Sequence, residues 1–193
     1  FNKSKIKSSK EIHNILNLAM LSGIKILDSS PNYGNSEKLL SKNKLDNFKI
    51  ITKITLLSHE KKTRNLKRII FTKIKKSLKQ LKIKKLYAVL IHRSSDLNGV
   101  KKEEFFKILR ELKEENLVTK VGISIYDPKE LDKIWSRWKP DIVQCPLNVF
   151  DLRIYNSGWL TKLKKYNIEV HARSIFLQGL LLMDYKNIPK KFS

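Results

Sequence analysis

Two rhythms of apolar residues alternate along the chain. Between Lys10 and Leu21, Ile12, Ile15, Leu16 and Met20 recur at helical spacing, with Ser8-Ser9 in front as a cap and Gly23 behind as a stop. Ile24–Leu27 then predicts a short strand, and Ser36–Leu40 a short helix. Phe48–Ile54 predicts the next strand. Leu66–Leu81 follows as a helix with Ile69, Ile70, Ile74 and Leu78 on one face. Leu86–Ile91 is a nearly continuous apolar run, the mark of a strand buried on both faces. The alternation goes on through a helix at Phe105–Leu112, a strand at Thr119–Ser124 and a helix at Pro128–Trp135 with proline in its first turn. A strand at Asp141–Gln144, a helix at Trp159–Tyr166 and a strand at Ile168–Ala172 complete it.

Six strands alternating with helices imply a parallel sheet. Such a sheet is either open and doubly wound or closed as a (β/α)₈ TIM barrel. A glycine-rich phosphate loop after the first strand would favour the open form, and neither GxGxxG nor GxxxxGK[ST] occurs. Polar residues at the C-terminal ends of successive strands favour the barrel instead. The fold expected is an α/β barrel of about six strands, a single domain over residues 1–193.

Composition narrows the class. Of 193 residues, 41% are hydrophobic and 31% charged, which suits a soluble globular chain, and no apolar run is long enough to cross a bilayer. One cysteine, Cys145, allows no internal disulfide. The opening FNKSKIKSSKE has no apolar leader segment. A cytoplasmic location is the resulting expectation. A net charge of +23 raises the question of nucleic acid. The excess is almost all lysine, it is spread over the whole chain, and its densest run, Lys61–Lys85, reads as a helix with a solvated basic face. Neither nucleic acid nor membrane is an expected partner.

The candidate chemistry lies at the strand ends. The first strand runs into Asp28, and the loop PNYGN that follows carries Tyr33. The second carries Lys53, the third ends at His92-Arg93, the fourth at Ser124, the fifth carries Gln144, and the sixth ends at Arg173-Ser174. In a barrel these positions face one mouth. A phenol with a pKa of about 10 holds a proton at neutral pH and can pass it to a developing alkoxide. An ammonium nearby favours the phenolate, a carboxylate holds that ammonium in place, and a neutral imidazole can donate a hydrogen bond to a carbonyl oxygen. The set suits protonation of a carbonyl as a hydride reaches its carbon. No side chain supplies a hydride, so a cofactor must. Each residue alone also has a plain structural reading, as turn cap, packed loop aromatic, surface lysine or core histidine. Their order on successive strands carries the case.

The residues that carry this chemistry resemble those of the aldo-keto reductases. Asp28-Ser29-Ser30 is similar to the family's D-[TS]-[AS] strand end, and YGNSE (Tyr33–Glu37) to the YG-x-SE that follows it. Thr52-Lys53 is similar to the family's TK strand. SLKQL with LIH, VGIS (Val121–Ser124), QCPLN (Gln144–Asn148) and RSIFLQGLL (Arg173–Leu181) resemble further family segments in order. The resemblance implies a carbonyl reductase acting on a small-molecule aldehyde or ketone, with Tyr33 as general acid, Lys53 as its modulator, Asp28 as partner of Lys53, and His92 orienting the carbonyl. It implies NADP(H), or less often NAD(H), held through Ser124, Gln144, Arg173 and Ser174, and no metal. Three positions depart from the pattern. Ile125 stands where an asparagine is usual, Arg173 where an aromatic commonly stacks on the nicotinamide, and Tyr87 where many members have aspartate. A family barrel has eight strands, so the expectation is a piece lacking the first and last strands, with a gap between Ile24–Leu27 and Ile168–Ala172. A truncated, non-catalytic barrel relative with a binding role is the alternative.

Overall fold

The computed structural model describes residues 8–63 and 65–189. The opening FNKSKIK and Arg64 of the basic run lie outside them. The elements in chain order are α1 (Ser9–Leu21), β1 (Ile26–Asp28), α2 (Ser36–Leu40), β2 (Lys49–Ile54), α3 (Leu66–Leu81), β3 (Leu86–Ile91) and α4 (Lys102–Glu114). They continue with β4 (Val118–Ser124), α5 (Lys129–Asp132), β5 (Ile142–Pro146), α6 (Arg153–Asn156), α7 (Trp159–Lys165) and β6 (Glu169–Arg173). All strand pairs are parallel and the spatial order equals the chain order, β1 to β6. Among the described residues β1 and β6 do not pair with each other, so the curled sheet stays open where the sequence predicts a gap.

One turn feeds four of the six strands. Gly23, Lys82, Asn116 and Asn167 follow α1, α3, α4 and α7 with φ between 54° and 75°, the left-handed conformation that closes a helix. In each case the next residue donates its amide to a carbonyl five residues back: Ile24 to Ala19, Ile83 to Leu78, Leu117 to Leu112 and Ile168 to Leu163. Those amides are spent on the helix ends. This is why β1 and β6 begin later, at Ile26 and Glu169, than the apolar pattern predicts at Ile24 and Ile168. The capping box on α1 forms as Ser8 and Glu11 dictate. Of the apolar face of α1 only Leu16 is buried, because the helix packs chiefly beside the short α2.

The sheet has two differently built faces. Outward, Ile50, Ile54, Val89, Ile91, Val121, Ile123, Val143 and Cys145 pack under Ile70, Ile74, Leu78 and Leu81 of α3 and Phe105, Leu109 and Leu112 of α4. Each fully buried aliphatic there stabilises by about 1.5–3 kcal/mol. The Cys145 thiol belongs to this layer, and burial pushes its pKa up to about 11, so it is a packing residue and not a nucleophile. Lys75 and Lys79 lie exposed on the other side of α3, and Lys53 is the one buried lysine among the described residues. Inward, a small apolar layer of Ile51, Ala88, Leu90 and Ile142 fills the curl.

Gly122 on β4 belongs to the inner layer, and its hydrogen sets the spacing of the strands. A Cβ there would meet the Ile142 carbonyl oxygen at 2.3 Å and Leu90 Cδ2 at 2.6 Å. Backbone cannot yield as a side-chain tip can. Gly122→Ala is expected to destabilise the chain by about 1–3 kcal/mol. An unfolding midpoint in urea equal to wild type would contradict this packing.

Below that layer the inner face is polar. The Glu169 carboxylate accepts a hydrogen bond from the Tyr87 hydroxyl at 2.6 Å, pairs with Lys120, and meets His171 Nε2 at 3.2 Å. Lys49 Nζ lies 4.8 Å from the Tyr87 ring centre. Tyr87, a departure in sequence, thus anchors the floor of the curl. Burial pushes the Glu169 carboxyl up, but hydrogen bonds from Lys120, Tyr87 and His171 outweigh it and hold the pKa down at about 2. The folded value lies below the unfolded value of about 4.3. The contribution is therefore complete above that unfolded value and is lost as pH falls toward 2. Glu169→Gln is expected to flatten this acid limb of the stability curve, followed by circular dichroism melts across the range. An unchanged limb would show that the floor network is not its source.

Candidate active site

Asp28, Lys53 and His92 converge because β1, β2 and β3 are neighbours in register. Asp28 pairs with Ile51 and Lys53 with Leu90, so each carboxylate or ammonium side chain points inward at the same end of the sheet. Alternation along Thr52-Lys53 splits the pair between faces. Thr52 turns outward and its hydroxyl donates to the buried Glu37 carboxylate at 2.7 Å, tying α2 to β2. Lys53 turns inward and donates to both Asp28 carboxylate oxygens at 2.6 Å and to the Ser29 carbonyl at 3.1 Å. The Lys53 side chain is 1% exposed and that of Asp28 37%, so the pair is sealed from behind and open to the mouth.

The loop between β1 and α2 presents Tyr33. The Tyr33 amide donates to the Ser30 carbonyl, the Ser36 amide to the Tyr33 carbonyl, and the Ser29 and Ser36 hydroxyls meet at 3.0 Å. Gly34 follows at φ +57°, a left-handed conformation that glycine takes without steric cost. Held in this way, the ring lies with its centre 5.0 Å from Lys53 Nζ and 5.9 Å from the His92 ring, edge to face. Tyr33 is half exposed, so a ligand can reach it.

His92 is positioned by two residues that the sequence did not single out. Asn32 Nδ2 donates to Thr55 Oγ1 at 2.9 Å, and Thr55 Oγ1 lies 3.2 Å from His92 Nδ1. With its oxygen accepting from the amide, the threonine can give its own proton to Nδ1, which is the tautomer that keeps a proton on Nε2. Burial, then the positive charges of Lys53 and Arg93, pull the His92 pKa below its ordinary value of 6.5, so the ring is neutral at pH 7. A neutral imidazole with Nε2–H is a hydrogen-bond donor to a carbonyl oxygen. Thr55 was legible only as the residue two beyond Lys53, on the same face, and Asn32 as the neighbour of Tyr33.

Further round the curl, Ser124 and Gln144 are direct register partners on β4 and β5, both buried and on the inner face. A hydroxyl and a primary amide side by side suit a carboxamide, which both donates and accepts. Arg173 stands at the end of β6. Its guanidinium carbon lies 4.1 Å from the Tyr126 ring centre and Nη2 donates to the Ile125 carbonyl at 2.9 Å. One guanidinium face is therefore already covered by Tyr126. Ile125 itself is fully buried in the outer core, so its side chain offers this site no polar contact, while its amide donates to the Gln144 carbonyl. Ser174 follows Arg173 with φ 58°, and its carbonyl accepts from Asn148 Nδ2 at 3.2 Å.

The sequence pattern of the Aldo/keto reductase family matches residues 1–193, the whole chain. The chain belongs to the aldo/keto reductase family. No curated protein sequence matches it. Solved structures share the reductase fold at low identity. The holo form of an aldo-keto reductase from Bacillus halodurans superposes with a TM-score of 0.78 at 20% identity, over 95% of this chain and 62% of that one. A glycerol dehydrogenase from Gluconobacter oxydans gives 0.74 at 22% identity, over 96% and 61%. An aldo-keto reductase from Klebsiella pneumoniae in complex with NADPH gives 0.75 at 17% identity, over 91% and 61%. This family member thus spans less than two thirds of the length of these three structures.

Proposed function

We propose that this family member reduces an aldehyde or ketone to an alcohol with NAD(P)H as hydride donor. The observation that carries the reading is the meeting of Asp28, Lys53, Tyr33 and His92 at the C-terminal ends of three adjacent parallel strands. In a barrel of this kind, that end is where chemistry is built. Bound NAD(P)H would supply the hydride. Ser124 and Gln144 would hold its carboxamide, and the free face of the Arg173–Tyr126 pair would lie beside the ring. The family membership and the NADPH complex of the Klebsiella relative support the choice of cofactor.

The geometry supports the following roles for the chain's own residues. Tyr33 gives its phenolic proton to the carbonyl oxygen as charge develops there. Lys53, sealed behind the ring, stabilises the negative charge left on the phenol, and Asp28 fixes the ammonium in place. Neutral His92 donates from Nε2 to the same carbonyl oxygen and so orients it. The test is direct: the purified protein, NADPH and a panel of aldehydes and ketones, followed by loss of NADPH absorbance. Turnover of none of them, with the protein folded, would overturn the proposal.

The second reading is a non-catalytic barrel relative that binds a nucleotide without turning it over. Quenching of tryptophan fluorescence by NADPH in the absence of any turnover would select it.

A further inference from the structure

Behind the Tyr33 loop lies a cavity of about 330 Å³, on the far side of the loop from the carbonyl site and sharing Lys53 and Thr55 with it. Its walls are Pro31, Asn32, Gly34 and Asn35 of the loop, the start of α2, Lys53 of β2 with Thr55 just after it, and one side of α3. That size falls at the small end of sites that take small organic ligands.

The charges in the wall are unequal. Glu37 is the one acid, and it accepts from the Thr52 hydroxyl. Of four lysines, Lys53 is bound to Asp28 and Lys73 is paired with Glu60 at 3.0 Å. Lys38 and Lys76 face the cavity from α2 and α3, and neither ammonium group has an ion-pair or hydrogen-bond partner among the described residues. The amides of Asn32, Asn35 and Gln80 and the hydroxyl of the buried Ser77 add neutral donors, while Ile74 and Pro31 supply an apolar patch. Two free ammonium groups match a dianion, the surrounding donors match phosphate oxygens, and the apolar patch matches a short carbon skeleton. We infer that this cavity is a second ligand site, selective for a small phosphomonoester.

The site is wired to the first. Asn32 and Gly34, on either side of Tyr33, both line the cavity, and Asn32 begins the hydrogen-bonded series through Thr55 to His92. A phosphate that takes the Asn32 amide withdraws it from Thr55, and the ligand thereby shifts the phenol loop and the imidazole together. This regulatory step rests on the proposed reductase function. Binding itself does not.

Binding is tested without nicotinamide or carbonyl compound, so its failure is separate from failure of the reductase reading. The whole chain is titrated with glycerol phosphate and, in parallel, inorganic phosphate, followed by side-chain amide signals in nitrogen–proton NMR spectra. The Asn32 and Gln80 amides and the His92 ring are expected to shift, with the ester the tighter ligand. Lys38→Gln/Lys76→Gln is expected to weaken ester binding about 10-fold or more, the loss of two charges near the ligand. Lys75→Gln/Lys79→Gln removes equal charge from exposed positions of α3 outside the cavity and is expected to leave binding unchanged. Unmoved Asn32 and Gln80 signals, equal weakening by both pairs of substitutions, or equal affinity for inorganic phosphate would overturn the assignment. A still His92 ring in the presence of a bound ester would overturn the coupling.

Discussion

Tyr33→Phe is expected to lower kcat by about 10²-fold or more, the usual contribution of a positioned general acid. The substitution removes one oxygen and keeps the ring. The ring is what sits edge to face with His92 and over Lys53, so the local packing survives. Nor does the Tyr33 hydroxyl hold the loop, whose hydrogen bonds run through the backbone of Tyr33 and the hydroxyls of Ser29 and Ser36. The affinity for NADPH should therefore stay close to wild type. A phenylalanine variant that reduces an aldehyde at the wild-type rate would show that the proton comes from elsewhere. A loss of NADPH binding equal to the loss of rate would show a structural role for the phenol.

Lys53→Met is expected to cost a comparable factor in kcat, and the double variant Tyr33→Phe/Lys53→Met no more than the larger single loss. In the proposed reaction Lys53 acts only through the charge on the phenol oxygen, so without that oxygen it would have nothing left to stabilise. Residues that act as a unit are strongly non-additive. Independent, multiplying losses would mean that the ammonium works on the substrate directly. Methionine fills nearly the space of the lysine stem and needs no partner, and Asp28, 37% exposed, then takes water in place of the ammonium. Fold stability should change little. Truncation from the other side is harsher. Asp28→Ala leaves the buried Lys53 ammonium with the Ser29 carbonyl as its remaining acceptor among the described residues. The expected cost is about 3 kcal/mol, at the low end for a broken buried pair because water reaches the Asp28 side. Chemical denaturation of the two variants separates these cases. An Asp28→Ala midpoint equal to that of Lys53→Met would show that the ammonium is solvated in the native state.

The order of the six strands and the longer helices was legible because each of them has its own apolar period. Leu66–Leu81 and Leu86–Ile91 coincide with α3 and β3 residue for residue. Boundaries slipped where a backbone amide had two possible partners. Ile24 and Ile168 are apolar and β-branched, as strand residues are, but their amides close the preceding helices. The predicted helix Pro128–Trp135 shortens to Lys129–Asp132, and α6 at Arg153–Asn156 carried no period long enough to read.

Sequence by itself determined the parallel α/β order and placed Asp28, Tyr33, Lys53, His92, Ser124 and Gln144 at strand ends, since alternation and chain order are local properties. Only the tertiary structure decided which strands adjoin, and so which side chains meet. The Lys53–Asp28 pair depends on the β1–β2 register, and a slip of one residue would turn Lys53 into the outer core. The Asn32–Thr55–His92 series, the covering of Arg173 by Tyr126 and the Tyr87–Glu169 hydrogen bond join residues 23 to 82 positions apart. No local pattern encodes such contacts, because they exist only once the curl of the sheet brings separate strands to one side.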